Sequence, residues 1–215
     1  MKPLAAIIMR DLRIAFGHGG ALLPVIFFLL VATLYPFAVG PDAVVLNRTG
    51  GGLLCVAALL AALLPVDRLV LPDVEAGILE QYAVRGMADE IIAAAKIVAH
   101  WLSFCPPLMV AAIPAAALLK LENDVIVRIE LSLLISTPGL AALSFATSAL
   151  TAGLRSSAAL AGLLMLPLAI PVLIFAAGSL APQGMGAIKL LAAVSLLLLA
   201  GAPFAAGAAL RALRE

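Results

Sequence analysis

Apolar positions in this chain come in long blocks, not in the alternation of a half-buried strand. Six blocks approach the ~20 residues that cross ~30 Å of hydrocarbon as a helix. They are Ala21–Val39, Gly51–Val66, Ile91–Leu119, Leu131–Leu154, Ala158–Leu180 and Ile188–Leu210. The third is too long for a perpendicular crossing, so its first part is expected to extend on one side. Ahead of the first block, Leu4, Ile7, Ile8, Leu12, Ala15 and Phe16 share a helical stripe, with Arg10 and Arg13 on the other side. That pattern predicts an amphipathic helix over residues 1–17 lying in the membrane interface. Gly17, Gly19 and Gly20 then permit a sharp turn into the bilayer. Arg10, Asp11 and Arg13 interrupt the early apolar run and no small-residue cleavage site follows, so the segment is expected to be retained.

The expected fold is therefore all-α: an integral membrane protein of six transmembrane helices with an N-terminal amphipathic elbow helix. Residues 1–215 are expected to form one transmembrane domain, with a polar loop at 67–90. Composition strengthens this reading. The chain is 65% hydrophobic and 12% charged, with a mean hydropathy of +1.21, whereas soluble domains sit near half apolar and a quarter charged. A net charge of +1 leaves no basic field for nucleic acid. Lys2, Arg10, Arg13, Arg68, Arg85, Lys96, Arg155, Arg211 and Arg214 fall on one side of the six spans. Arg48, Lys120, Arg128 and Lys189 fall on the other, nine against four of the thirteen basic residues. The excess of positive charge inside puts both termini in the cytoplasm.

Ten prolines fall within the blocks: Pro24, Pro36, Pro65, Pro106, Pro107, Pro114, Pro138, Pro167, Pro171 and Pro203. Each removes a backbone donor, and the clusters at Pro106-Pro107 and Pro167/Pro171 suggest helix breaks. Ala141, Ala142, Ala146 and Ala149 allow close helix packing. Cys55 and Cys105 lie in apolar runs without a neighbouring Cys or His and read as small buried hydrophobes.

Catalytic signatures are absent. The chain has no phosphate-binding Gly-rich loop, no Gly-x-Ser-x-Gly elbow and no zinc-binding His-Glu-x-x-His. If it uses ATP, another subunit supplies the site. The most polar region is Asp67–Glu90. Pro72-Asp73 reads as a helix start with Asp73 as N-cap, and Glu75 lies near the positive end of that helix. Ile78, Leu79 and Tyr82 give a short helix one apolar face, a shape suited to docking in a groove on a cytoplasmic partner; the plainer reading is a solvated loop. Lys96 and His100 share a helix face, beside Trp101, as a candidate intramembrane polar site. Histidine is a common haem ligand, but a lone His beside Trp at a span's end reads first as an interface anchor. His18, among glycines, is a weaker candidate still. Arg128 and Glu130 are read as marking the opposite water interface. These features also describe a permease for a polysaccharide or drug, or a passive scaffold. A secondary transporter would want buried acids within its spans, and here the acids fall in loops or at boundaries.

Specific words in the sequence carry a resemblance. The loop reads Asp73-Val74-Glu75-Ala76-Gly77-Ile78-Leu79-Glu80-Gln81, followed by Ala95-Lys96 and Ala99-His100-Trp101. Leu166-Pro167-Leu168, Ile170-Pro171 and Leu173-Ile174-Phe175-Ala176 come later, then Pro203-Phe204-Ala205 and Ala208-Ala209-Leu210-Arg211. Near the start stand Arg13, Ala15-Phe16 and Leu34-Tyr35-Pro36-Phe37, ending in Gly40-Pro41. In this order and over the whole chain, these words resemble the heme exporter B family, membrane permeases of the ABC-2 type that serve cytochrome c maturation. The segment Ala181–Ala187 is shorter than the family's usual outer loop, which leaves open any contact made there.

The resemblance implies a non-catalytic subunit in the bacterial inner membrane, forming a homodimer within a larger complex. Its implied partners are a cytoplasmic ATPase subunit carrying ATP–Mg, a haem-handling membrane protein, a small membrane subunit and a haem chaperone. Haem is handled by the complex, and no cofactor is assigned to this chain. ATP hydrolysis is linked to release of the haem-loaded chaperone on the outer side. The loop, with Asp73, Glu75, Gly77, Leu79, Glu80, Gln81 and Tyr82, would be the coupling segment to the ATPase. There Glu80 and Gln81 would hydrogen-bond to the ATPase while Leu79 and Tyr82 pack in its groove.

Overall fold

The computed structural model describes residues 2–17, 19–154 and 156–214, and their regular structure is all helical. His18 and Arg155 lie outside the described residues. The elements in order are α1 (Lys2–Gly17), α2 (Leu22–Val39), α3 (Ala43–Leu63), a 3-10 turn (Val66–Arg68), α4 (Leu71–Glu75), α5 (Ile78–Val84), α6 (Asp89–Leu118), α7 (Asn123–Thr151), α8 (Ser157–Gly178) and α9 (Met185–Ala212). Six of these, α2, α3, α6, α7, α8 and α9, are long and apolar enough to cross a membrane. The 30 residues of α6 make a rod of about 45 Å, so its first turns extend beyond the hydrocarbon, as the length of its apolar block predicts.

The second span begins at Ala43, not at Gly51. Asp42 caps it, accepting hydrogen bonds from the Val44 and Val45 amides at 2.7 and 3.4 Å. Gly50, ahead of the block read from the sequence, and Gly51, its first residue, both lie inside α3, where neighbours approach closely. A Cβ on Gly51 would stand 2.8 Å from Leu180 Cδ1, and one on Gly50 3.0 Å from Leu121 Cδ2. The expected helix breaks are absent too. α6 continues through Pro106, Pro107 and Pro114, and α8 through Pro167 and Pro171. Packing on several sides holds α6 continuous: it lies against α1, α2, α7 and α9.

The helix at the centre is α7, which packs on α9, α6, α8 and α3. Its sequence explains the position. Ala141, Ala142, Ala146 and Ala149 are buried and let neighbouring backbones approach. Gly139 sits where α7 crosses α9. Its amide donates to Ser195 Oγ at 2.9 Å, and a Cβ there would lie 2.9 Å from the Ser195 Cα. Two hydroxyls of α7 tie down the end of α3: Ser144 Oγ donates to the Ala62 carbonyl at 3.0 Å and Ser148 Oγ to the Val66 carbonyl at 2.6 Å. Carbonyls at a helix C-terminus have no intrahelical partner, so the bond to Ala62 satisfies a group that would otherwise be orphaned, whereas Val66, in the 3-10 turn that follows, also accepts from the Leu69 amide. On the outside, Leu22, Ile26, Leu30, Leu34 and Phe37 of α2 form an exposed apolar stripe fit for lipid.

Arg128 donates to the Leu180 carbonyl at 3.1 Å and to Asp124 at 3.2 Å. Glu130 is part-buried, and its Oε1 is enclosed with no hydrogen-bond partner among the described residues. Loop segment 66–88, α1 and the last turn of α9 meet at the opposite end of the bundle, where the polar chemistry concentrates.

Candidate functional site

Lys96 stands two turns into α6, flanked by Ala93, Ala95, Ile97 and Ala99, all buried. An ammonium in such a place needs anions. It finds two, donating from Nζ to Asp11 Oδ2 at 2.7 Å and to Asp73 Oδ2 at 2.6 Å. Asp73 is also gripped by Arg10, through Nη2 to Oδ1 at 2.5 Å and Nη1 to Oδ2 at 3.2 Å. Arg10 Nη1 reaches Asp11 Oδ1 at 2.9 Å. Two cations and two carboxylates thus close a ring of charge that joins α1, α4 and α6.

Burial pushes the Asp73 carboxyl up, but the Arg10 hydrogen bond and the adjacent Lys96 ammonium outweigh it and hold the group below its ordinary value. Arg10 is raised in turn, chiefly by its hydrogen bond to Asp73.

This arrangement corrects two expectations. Asp73 does not cap a helix: it lies within α4, and no side chain caps that helix. Arg10 does not stay on the exposed side of the elbow with Arg13; it turns inward to Asp73, where a buried carboxylate is the strong attraction.

A second ionic cluster ties the other flank. Arg214 Nη2 donates to both oxygens of Asp89, at 2.6 and 2.5 Å, and Nη1 reaches the Leu79 carbonyl at 3.3 Å. Arg211 pairs with Glu90. The end of α9 is thereby bound to the start of α6 and to α5.

Between the two anchors the polar loop is two short helices, not one. Gly77, at φ +64°, turns the chain in the left-handed region, where a side chain is strained. Leu79 and Tyr82 do not offer a free apolar face. They are 1% and 8% exposed and pack into this chain's own core with Val70 and Ile92. The apolar spacing marks an internal seam, since a short helix with one apolar face is stabilised first by the nearest apolar surface. Glu75, Glu80, Gln81 and Arg85 are exposed, and Val84 is 89% exposed among them.

His100 and Trp101 are not at a span's end. Both lie near the middle of α6. Trp101 Nε1 donates to Thr137 Oγ1 of α7 at 3.2 Å. His100 is buried and stacks on Phe104, with ring centroids 5.9 Å apart. Its Nε2 is enclosed and has no hydrogen-bond partner among the described residues. Lys96 and His100 line one cavity of about 430 Å³, bounded by α1, the loop, α6 and α7. Among the described residues no cluster of His, Cys, Asp and Glu is able to hold a metal. The ionic ring, the α9 clamp and the cavity were not read from the sequence as assemblies. A lysine in an apolar block was the one available signal, because its charge demands a partner from elsewhere in the chain.

Six apolar helices, an amphipathic first helix and a polar loop clamped at both flanks define a helical, multi-pass membrane protein of permease type. Within that class the chain belongs to the CcmB protein family, which matches residues 2–213. It is 43% identical to heme exporter protein B of Bradyrhizobium diazoefficiens, over 98% of each chain. Heme exporter protein B of Paracoccus denitrificans is 42% identical over 97% of this chain and 98% of its own length. The Escherichia coli protein of the same name is 38% identical over 94% of each.

Proposed function

We propose that this chain is the membrane subunit of an ABC exporter acting in cytochrome c maturation. In that role it couples ATP hydrolysis by a cytoplasmic partner to release of a haem-loaded chaperone and haem delivery on the outer side. The observation that carries the proposal is likeness to heme exporter protein B along nearly the whole of both chains. Two copies, a haem-handling membrane protein and a small membrane subunit complete the complex in the inner membrane, with both termini cytoplasmic.

The geometry supports a particular route for the coupling. The exposed edge formed by Glu75, Glu80, Gln81, Val84 and Arg85 is the surface offered to the ATPase. Leu79 and Tyr82 serve behind it, seating the edge on the bundle. Motion applied to the edge passes through Asp73 and its ion pairs to α1 and α6, and through Leu79 and Arg214 to α9.

The test is deletion of the gene in a host that depends on this maturation route, with membranes stained for covalent haem in c-type cytochromes. Loss of the bands, restored by the wild-type chain, is the expected result. Bands that persist with no paralogue present overturn the assignment. A Glu80→Arg/Val84→Asp variant, present at normal level, is expected to lose copurification with the ATPase. Full copurification with full cytochrome maturation removes the edge from the mechanism.

A further inference from the structure

The cavity beneath α1 has unused polar capacity at one end and apolar walls at the other. Lys96 spends two of its three N–H donors on Asp11 and Asp73. Arg68 lines the same cavity with an exposed guanidinium that meets no acceptor among the described residues. His100 contributes a buried imidazole whose Nε2 has no partner among the described residues. Three cations, Arg10, Arg68 and Lys96, stand against two carboxylates, Asp11 and Asp73, along the lining, a surplus of one positive charge. Apart from Ser103, the remaining side chains of the wall are hydrocarbon, including Ile14, Pro24, Pro65, Phe104 and Phe145. A volume near 430 Å³ lies within the range of ligand pockets, ~300–1,000 Å³.

Position narrows the ligand class. The amphipathic α1 forms one side, and a helix of that kind lies at the level of lipid headgroups. Basic pockets between transmembrane helices at that level take anionic headgroups. We infer that the cavity is a binding site for a single anionic phospholipid from the leaflet on which α1 lies. The phosphate would sit by Arg68 and the open N–H of Lys96, and acyl carbons would lie along Pro24, Phe104 and Phe145. The occupant would fill the space between α1 and α6 beside the ionic ring, so the elbow would be seated partly on lipid.

The experiment uses the full chain, purified in mild detergent and returned to nanodiscs of phosphatidylglycerol, or of phosphatidylcholine with and without inorganic phosphate. Native mass spectrometry counts the lipids retained after release. Wild-type chain is expected to retain one phosphatidylglycerol per copy and little phosphatidylcholine. Arg68→Gln should lower that retention about fivefold, the ~1 kcal/mol of one basic side chain near an anionic surface. Ala15→Phe, which fills the cavity from the elbow side, should abolish retention while helicity stays unchanged. Equal retention of both lipids by wild type and Arg68→Gln overturns the proposal. So does displacement of the lipid by inorganic phosphate, retention undiminished in Ala15→Phe, or a haem absorbance band in place of the lipid.

Discussion

Asp73→Asn tests the ionic ring most directly. The Asp73 side chain is 9% exposed and lies between Arg10, at 30%, and Lys96, at 5%. Removing its charge leaves two cations facing Asp11 alone, with Lys96 buried. Breaking a buried pair from one side costs about 3–5 kcal/mol. Asparagine keeps one acceptor for Arg10, which puts the expected loss near ~3 kcal/mol. Lys96→Met breaks the same contact from the other side, leaving Asp73 and Asp11 to share Arg10, and should also cost about 3 kcal/mol. The double variant leaves Arg10 and Asp11 as a balanced pair beside an apolar Met. It should therefore cost about 2–3 kcal/mol less than the sum of the single variants. Reversible unfolding in mixed micelles measures all four corners of the cycle. Additivity within about 0.5 kcal/mol would show that Lys96 and Asp73 do not act on each other and that the ring is a coincidence of placement.

Acid should act through the same group. The carboxyl of Asp73 titrates below its ordinary 3.8 in the folded chain, so its contribution is complete above that value and fades as pH falls through the lowered one. Unfolding resistance should hold from about pH 7 to about pH 4 and then drop, with a shallower acid limb in Asp73→Asn; identical limbs refute the assignment. Gly139→Ala places a methyl against Ser195 Cα and should cost about 1–3 kcal/mol by overpacking, read in the same micelle assay, whereas Gly52→Ala, with open space around it, should be near neutral. Arg214→Ala loses charge-assisted bonds to Asp89 and should cost about 1.5–3 kcal/mol, and limited proteolysis should then cut the 76–88 segment faster; an unchanged cleavage rate removes Arg214 as the tie on α5.

The bundle was legible in the sequence because lipid demands long apolar runs and leaves little choice of secondary structure. Where the sequence misled, polarity diluted a run or tertiary contact overrode a local signal. Asn47, Arg48 and Thr49 lower the hydropathy at the head of α3 and hid its first two turns, although Pro41-Asp42 carried a readable cap. Proline pairs looked like breaks because a chain read in isolation shows the lost donor and not the surrounding helices. The loop at 67–90 stood out as polar, and Glu80 and Gln81 keep exposed positions in it. Leu79 and Tyr82 did not, since periodicity reveals that a face is apolar but not which surface covers it. The ionic ring was beyond pattern reading. Its hydrogen-bonded partners lie up to 85 residues apart, the separation of Asp11 and Lys96, and only the demand of a buried lysine hinted at it.

The order of these charges along the chain bears on biogenesis. Arg10, Asp11 and Asp73 all precede Lys96, and synthesis proceeds from the N-terminus. When the first turns of α6 leave the ribosome, the counter-charges for Lys96 are already made, so the ammonium need never enter lipid alone. The clamp on the opposite flank closes in the reverse sense. Asp89 and Glu90 wait for Arg211 and Arg214, at the end of α9, so the polar loop is fastened on that side only after all six spans have been made. A nascent polypeptide released early would carry its six spans nearly whole and yet leave that loop tethered on one side.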